Sequence, residues 1–256
     1  MIDHLYVMSL DLNALLKDWP FEPGMLKVRK VPGVDGREKL QMRIDLGVLQ
    51  MEMIGRPDGL RPHGCESLLS YQQNRAALAE AAGEEYELSA EECSELQQEG
   101  IQYYHRYVSL FQLNDYAGVI RDTQRNLDLF SFVDKHSQRE DFVWNFQQFR
   151  PYVLMMNTRA KASLLLNESK FTEAMREIES GRDAIVEFFQ QSNFPELASK
   201  SSEVAFLEEW LAEVSEKRPR SKLELMQREM ETAIAKELYE RAAELRDAIK
   251  MLKASK

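Results

Sequence analysis

The sequence predicts a mainly α protein of the α+β class, with a small N-terminal β-hairpin module, a helical bundle or repeat-like platform, and a C-terminal antiparallel helical hairpin. Three observations carry this reading. Apolar and polar residues alternate only between Lys27 and Met53, apolar residues recur at spacings of three and four almost everywhere after Cys65, and the stretch Arg220 to Lys253 divides into two such runs around a short tyrosine-bearing turn. The corresponding segments are 1–83 for the α+β module, 89–217 for the platform and 221–254 for the hairpin.

Leu12-Asn13-Ala14-Leu15-Leu16-Lys17-Asp18-Trp19 predicts a short helix stopped at Pro20, because the residue before a proline is pushed out of the helical region. Lys27-Val28-Arg29-Lys30-Val31 reads as a strand and Gly33-Val34-Asp35-Gly36 as a hairpin connection. Leu40, Met42, Ile44, Leu46 and Val48 then form the apolar side of a second strand. After Gly47 the apolar phase slips to Leu49, Met51 and Met53, which predicts a bulge or a strand break there.

Gly55-Arg56-Pro57-Asp58-Gly59-Leu60-Arg61-Pro62-His63-Gly64 is a loop shaped by its glycines and prolines. A helix from about Cys65 to Ala82 should end at Gly83. Ser89 with Glu92 forms a capping box that starts the platform. Within the platform, Ile101, Tyr104, Val108 and Phe111 keep helical step. So do Phe142, Phe146, Phe149, Val153, Met156 and Ala160, and then Val204, Leu207, Leu211 and Val214. Pro151 should kink or split the middle run. Asn193-Phe194-Pro195-Glu196 reads as a helix start, with proline in the first turn.

Two stretches 55 residues apart look alike: Leu110-x-x-Leu113-Asn114-Asp115-Tyr116, and Leu164-Leu165-x-Asn167-x-x-Lys170-Phe171-Thr172-Glu173-Ala174. Both resemble the turn of a tetratricopeptide repeat, although that repeat has a period of about 34 residues. An elongated helical-repeat platform and a plain bundle both satisfy the pattern.

The terminal segment begins with Leu223, Met226, Met230 and Ala233 on one helix face, with Ser221 and Glu224 as a capping box. Ala242, Leu245, Ile249 and Leu252 repeat the spacing, and Lys236 to Glu240 leaves room only for a reversal. Met230 and Ala233, then Tyr239-Glu240-Arg241-Ala242-Ala243-Glu244-Leu245-Arg246-Asp247 with Ile249 and Leu252, resemble the UVR motif. That motif is the C-terminal hairpin shared by the UvrB and UvrC excision-repair proteins, and it also occurs in regulators of bacterial protein quality control. The chain departs from it in having Glu237 where members often carry leucine, with Leu238 directly before Tyr239.

The resemblance implies contact with a protein by hairpin pairing and no catalysis in the motif. The candidate contact residues are Met226, Met230, Tyr239, Ala242, Leu245, Arg246 and Ile249, the apolar ones by burial and Arg246 by a charged hydrogen bond to an acid of the mate. Helices this short are marginal alone. The apolar face therefore calls for an external protein, a second copy or the rest of the chain.

At 256 residues, 44% hydrophobic and 30% charged, the chain can bury a sizeable core. Cys65 and Cys93 have no partner at metal-ligand spacing, which predicts neither a zinc site nor a disulfide framework. No leader pattern or membrane span is read, and a bacterial-type cytoplasm is the expected setting. Residues 216–256 hold eleven Lys and Arg against eight Asp and Glu, leaving 22 against 35 for residues 1–215. So acidic a body disfavours nucleic acid as a partner.

No catalytic or cofactor-binding constellation is read. His4, His63, His105 and His136 are far apart in sequence, and no phosphate-cradling glycine pattern occurs. The reading is therefore a non-catalytic interaction or adaptor protein. The alternative is a ligand sensor or enzyme in which Arg56, Arg61 and His63 converge on an anion, helped by the N-terminus of the helix that follows. Against that stands a rigid turn whose arginines pair with acids such as Asp45 or Asp58.

Overall fold

The computed structural model describes residues 11–192, 194–220 and 222–254, so His4 and the Ser221 cap lie outside the described residues. The chain divides into two compact units, one ending at Leu211 and the other starting at Ala212.

In the first unit, Asp11 caps the short helix α1 (Leu12–Leu16) by accepting from the Asn13 amide at 2.9 Å. A three-stranded antiparallel sheet follows in the order β1 (Val28–Pro32), β2 (Glu38–Ile44) and β3 (Gly47–Glu52). The predicted second strand is thus two strands. Ile44 pairs with Gly47 across a two-residue reversal at Asp45 and Leu46, and Leu46, expected on the apolar side, is 89% exposed at the turn. A hairpin restarts the two-residue period, which is why the apolar phase slipped. Leu40, paired with Met51, and Met42 are buried.

A 3-10 turn, Pro62–Gly64, leads to α2 (Leu68–Ala82), which starts later than Cys65 because Ser67 is its cap, with its side chain accepting from the Ser70 amide. Gly83 ends the helix at φ 72°, as its placement predicts. The Ser89–Glu92 capping box is present in both directions at the start of α3 (Ala90–Gln112). Then come α4 (Tyr116–His136), α5 (Glu140–Gln147), α6 (Arg150–Asn167), α7 (Phe171–Gln191), a 3-10 segment Pro195–Lys200 and α8 (Ser202–Lys217). Pro151 occupies the first turn of α6, so it splits the predicted run instead of kinking it. The predicted start near Pro195 is the 3-10 segment, and α8 itself begins at Ser202.

Helices α3, α4, α6 and α7 pack in succession, α3 on α4, α4 on α6 and α6 on α7. The core gathers Leu68, Leu69, Leu96, Leu129, Phe130, Val133, Phe146 and Val153. One predicted face is corrected. Ile101 and Tyr104 are 49% and 40% exposed, whereas Cys93, Leu96, Tyr103, Tyr107 and Leu110 form the buried side of α3 together with Glu99 and Arg106. Two charged residues in core phase hid the true face.

In the second unit, α9 (Lys222–Ala235) and α10 (Tyr239–Ala254) pack against each other as a hairpin.

Candidate functional site

The α9–α10 hairpin is closed by Lys236-Glu237-Leu238. Glu237 takes a positive φ of 58°, its amide donates to the Ile234 carbonyl at 3.0 Å, and the Leu238 amide donates to Ala233 at 2.8 Å. The same turn recurs twice in the first unit. Asn114 and Ser169 also sit at φ 58°, with the following amides donating to Leu110 at 2.9 Å and Leu165 at 2.8 Å. In all three the next residue opens a helix with an aromatic: Tyr116, Phe171 and Tyr239. The resemblance noted between the two internal turns is therefore a shared helix-ending geometry, and the terminal hairpin has it too.

Ala233, Ala242, Leu245 and Ile249 are buried, and Leu223, Met226, Met230 and Leu252 are half-buried. Of the candidate contact residues, then, Ala242, Leu245 and Ile249 are already withdrawn from water, Met226 and Met230 are partly so, and Tyr239 and Arg246 are exposed. Arg246 donates to its neighbour Asp247 at 2.9 Å, and that carboxylate holds the guanidinium pKa above its ordinary value. Arg241 donates across the hairpin to Glu229 at 2.8 Å. Both partners of that pair are about half exposed, so it contributes little to stability.

Tyr239, named from the sequence, is 67% exposed at the turn, but sequence periodicity missed the other apolar side chains left outside the seam. Ile234 and Leu238 are 50% and 54% exposed around the turn, while Leu225 and Met251, 53% and 77% exposed, lie toward the other end. Their signal was present as apolar residues out of phase with the heptad-like seam.

The Arg56 loop is a closed structure. The Glu52 amide donates to the Pro57 carbonyl at 2.8 Å, and Gly55 and Gly59 adopt φ 73° and 75°, as a tight turn requires. Arg56 lies against Glu99 at 3.1 Å and Asp58 at 3.4 Å. Glu99, fully buried, accepts from the Leu68 and Leu69 amides at 2.7 and 3.1 Å and from Arg125. Burial and the neighbouring Arg56 lower the Arg125 pKa to about 9, and the nearby Asp128 carboxylate opposes that shift. The anion drawn to the α2 N-terminus and Arg56 is thus the chain's own carboxylate. Arg61 is exposed, and exposed His63 stacks on Tyr71 with ring centroids 4.0 Å apart.

Arg106 fixes the same loop. It forms a two-pronged pair with Asp122, at 2.6 and 2.8 Å, and donates to the carbonyls of Glu52 and Gly55 at 3.0 and 2.7 Å. His105 is half-buried, and burial lowers its pKa.

Residues 220–255 match the family described as the UvrB/uvrC motif, and the matched span is the α9–α10 hairpin. This motif is a protein-interaction helical hairpin. No curated protein matches the chain, and no solved structure does. Among the described residues no helix is long and apolar enough to cross a membrane, and no group of three or more His, Cys, Asp or Glu could hold a metal ion.

Proposed function

We propose that this chain is a non-catalytic adaptor of the cytoplasm that recruits a protein partner, or a second copy of itself, through the α9–α10 hairpin. The observation that carries the reading is the UvrB/uvrC motif match over a hairpin whose turn leaves Ile234, Leu238 and Tyr239 facing water. In this reading Ala242, Leu245 and Ile249 hold the hairpin shut, and Leu238, Tyr239 and Arg246 meet the partner. The free thiols Cys65 and Cys93 agree with a reducing compartment.

Burying one exposed side chain of this size contributes about 1.5–3 kcal/mol, enough to carry a moderate interaction. The test compares the full chain with Leu238→Asp and Tyr239→Ala, measuring co-purified proteins and, by light scattering, molar mass. Loss of the partner or of the dimer in both variants, with the helical signal retained, is the expected result. An unchanged set of partners and an unchanged mass would overturn the proposal.

A further inference from the structure

A groove of about 940 Å³ opens in the first unit between the end of α4, the outer face of α5 and the end of α7. Its wall carries Trp144 and Phe194, each 42% exposed, with ring centroids 5.4 Å apart, and Phe188 lines it from α7. Three exposed carboxylates share the lining: Asp134 on α4, Glu140 on α5 and Glu187 on α7. The one cation of the lining, Arg150, is turned into the protein, donating to Gln147 at 2.6 Å and to Ser131 at 3.1 Å. Asp134 faces this guanidinium and favours its charged form, whereas Glu140 is in no ion pair within 4.0 Å among the described residues.

The chain covers other aromatic faces with its own arginines. Arg29 lies over Trp19 at 4.0 Å, and Arg159 lies over Phe111 and Phe206 at 4.4 and 4.7 Å. No such cation covers Trp144 among the described residues. An indole face flanked by carboxylates is the environment that recognises a guanidinium or ammonium group on an apolar stem.

The groove's volume is at the upper end of the roughly 300–1,000 Å³ common for small-ligand pockets. Its carboxylates come from three different helices, which gives the groove a negative rim around the aromatic wall. We infer that this groove binds a peptide segment of a protein that carries arginine or lysine next to apolar side chains. The site is separate from the hairpin, and its test does not depend on what the hairpin binds.

The experiment is fluorescence anisotropy of the full chain with a fluorescein-labelled peptide of alternating arginine and leucine, against a glutamate–leucine peptide of equal length. Binding of the first and not of the second is expected. Trp144→Ala and Glu140→Lys should each weaken it about tenfold, as loss of a partly desolvated cation–π contact or of a rim charge would. Glu95→Lys, which makes the same charge change on α3 outside the groove, should leave the affinity within about twofold.

Thermal unfolding followed by circular dichroism checks each variant, and if Trp144→Ala is unfolded, Phe194→Ala replaces it. The inference is overturned if the arginine–leucine peptide does not bind, or if Trp144→Ala and Glu140→Lys leave its affinity unchanged. It is also overturned if Glu95→Lys weakens binding equally, or if spermidine displaces the peptide completely, which would assign the groove to small polycations.

Discussion

The Glu99 carboxylate accepts from the Leu68 amide at 2.7 Å across 31 residues of sequence, so a side chain of α3 caps the helix that follows the Arg56 loop. Buried completely, it also meets Arg56 and Arg125. Removing its charge takes the paired carboxylate from Arg125, leaves Arg56 with Asp58 alone, and weakens a helix cap. Glu99→Gln is therefore expected to lower unfolding stability by roughly 3–5 kcal/mol. Urea denaturation checks this, and a loss under about 1 kcal/mol would show that Glu99 is not the anchor.

Helices α6 and α7 touch where Gly181 meets Thr158. A methyl group on Gly181 would sit 2.0 Å from the Thr158 hydroxyl oxygen and 2.5 Å from its methyl carbon. Gly181→Ala should cost roughly 1–3 kcal/mol by overpacking despite the better helix propensity of alanine. Thr158→Ala in the same chain should recover part of the loss and no more, because the Thr158 Cβ that it keeps would still lie 2.7 Å from the new methyl. Additive losses in this double-mutant cycle would contradict the contact.

Glu237 holds a left-handed conformation that a side chain adopts at a cost and glycine adopts freely. Glu237→Gly is expected to stabilise the α9–α10 hairpin by about 1 kcal/mol, and Glu237→Val to weaken it. Amide hydrogen exchange in α9 and α10 reads both changes. Faster exchange in the glycine variant would count against the assigned turn.

Ile249 and Tyr239 separate folding from contact. Ile249 is 7% exposed and Tyr239 is 67% exposed. Ile249→Asp should lose roughly 3–5 kcal/mol of local stability and open the hairpin. Tyr239→Ala should keep it closed while weakening partner binding. Equal loss of hairpin protection in both variants would refute this division of roles.

Burial pushes the pKa of Tyr103 and of Tyr86 up to about 12, and pushes Tyr107 up as well. An unfolded tyrosine ionises near pH 10. The folded state therefore favours the neutral phenols. Their stabilising contribution is intact below about pH 10 and is lost as pH rises toward about 12, by roughly 2–3 kcal/mol for Tyr103, the more buried of the two. Urea midpoints that stay constant between about pH 9 and pH 12 would contradict the assignment.

What the sequence made legible is local chemistry. The Ser89–Glu92 box needs only two residues three apart, Gly83 ends α2, and Pro151 divides α5 from α6 because a ring without an amide proton is accepted only in a first turn. The UVR hairpin was legible for the same reason, since its two helices and its turn are contiguous. What escaped depends on distant partners. Arg106 is acceptable in the core only because Asp122 lies opposite it 16 residues later, and Glu99 only because Arg125 does 26 residues later. With those partners unseen, charges in core phase looked like a solvent face, and Ile101 and Tyr104 were assigned inward. At the Arg56 loop the pull of an arginine and a helix N-terminus on an anion was legible, whereas the Glu99 carboxylate that meets both was not, because it lies on another helix.

Among the described residues, the seam of the terminal hairpin is buried at four side chains, two of them alanines, Ala233 and Ala242. So little withdrawn surface leaves the folded hairpin only a small free-energy advantage, and mass action then becomes decisive. A partner present at a hundredfold excess over its dissociation constant would add about 2.7 kcal/mol, comparable with burying one or two leucines. The occupancy of the hairpin and its degree of order would then rise together, and this tail would report the concentration of its partner through its own helicity.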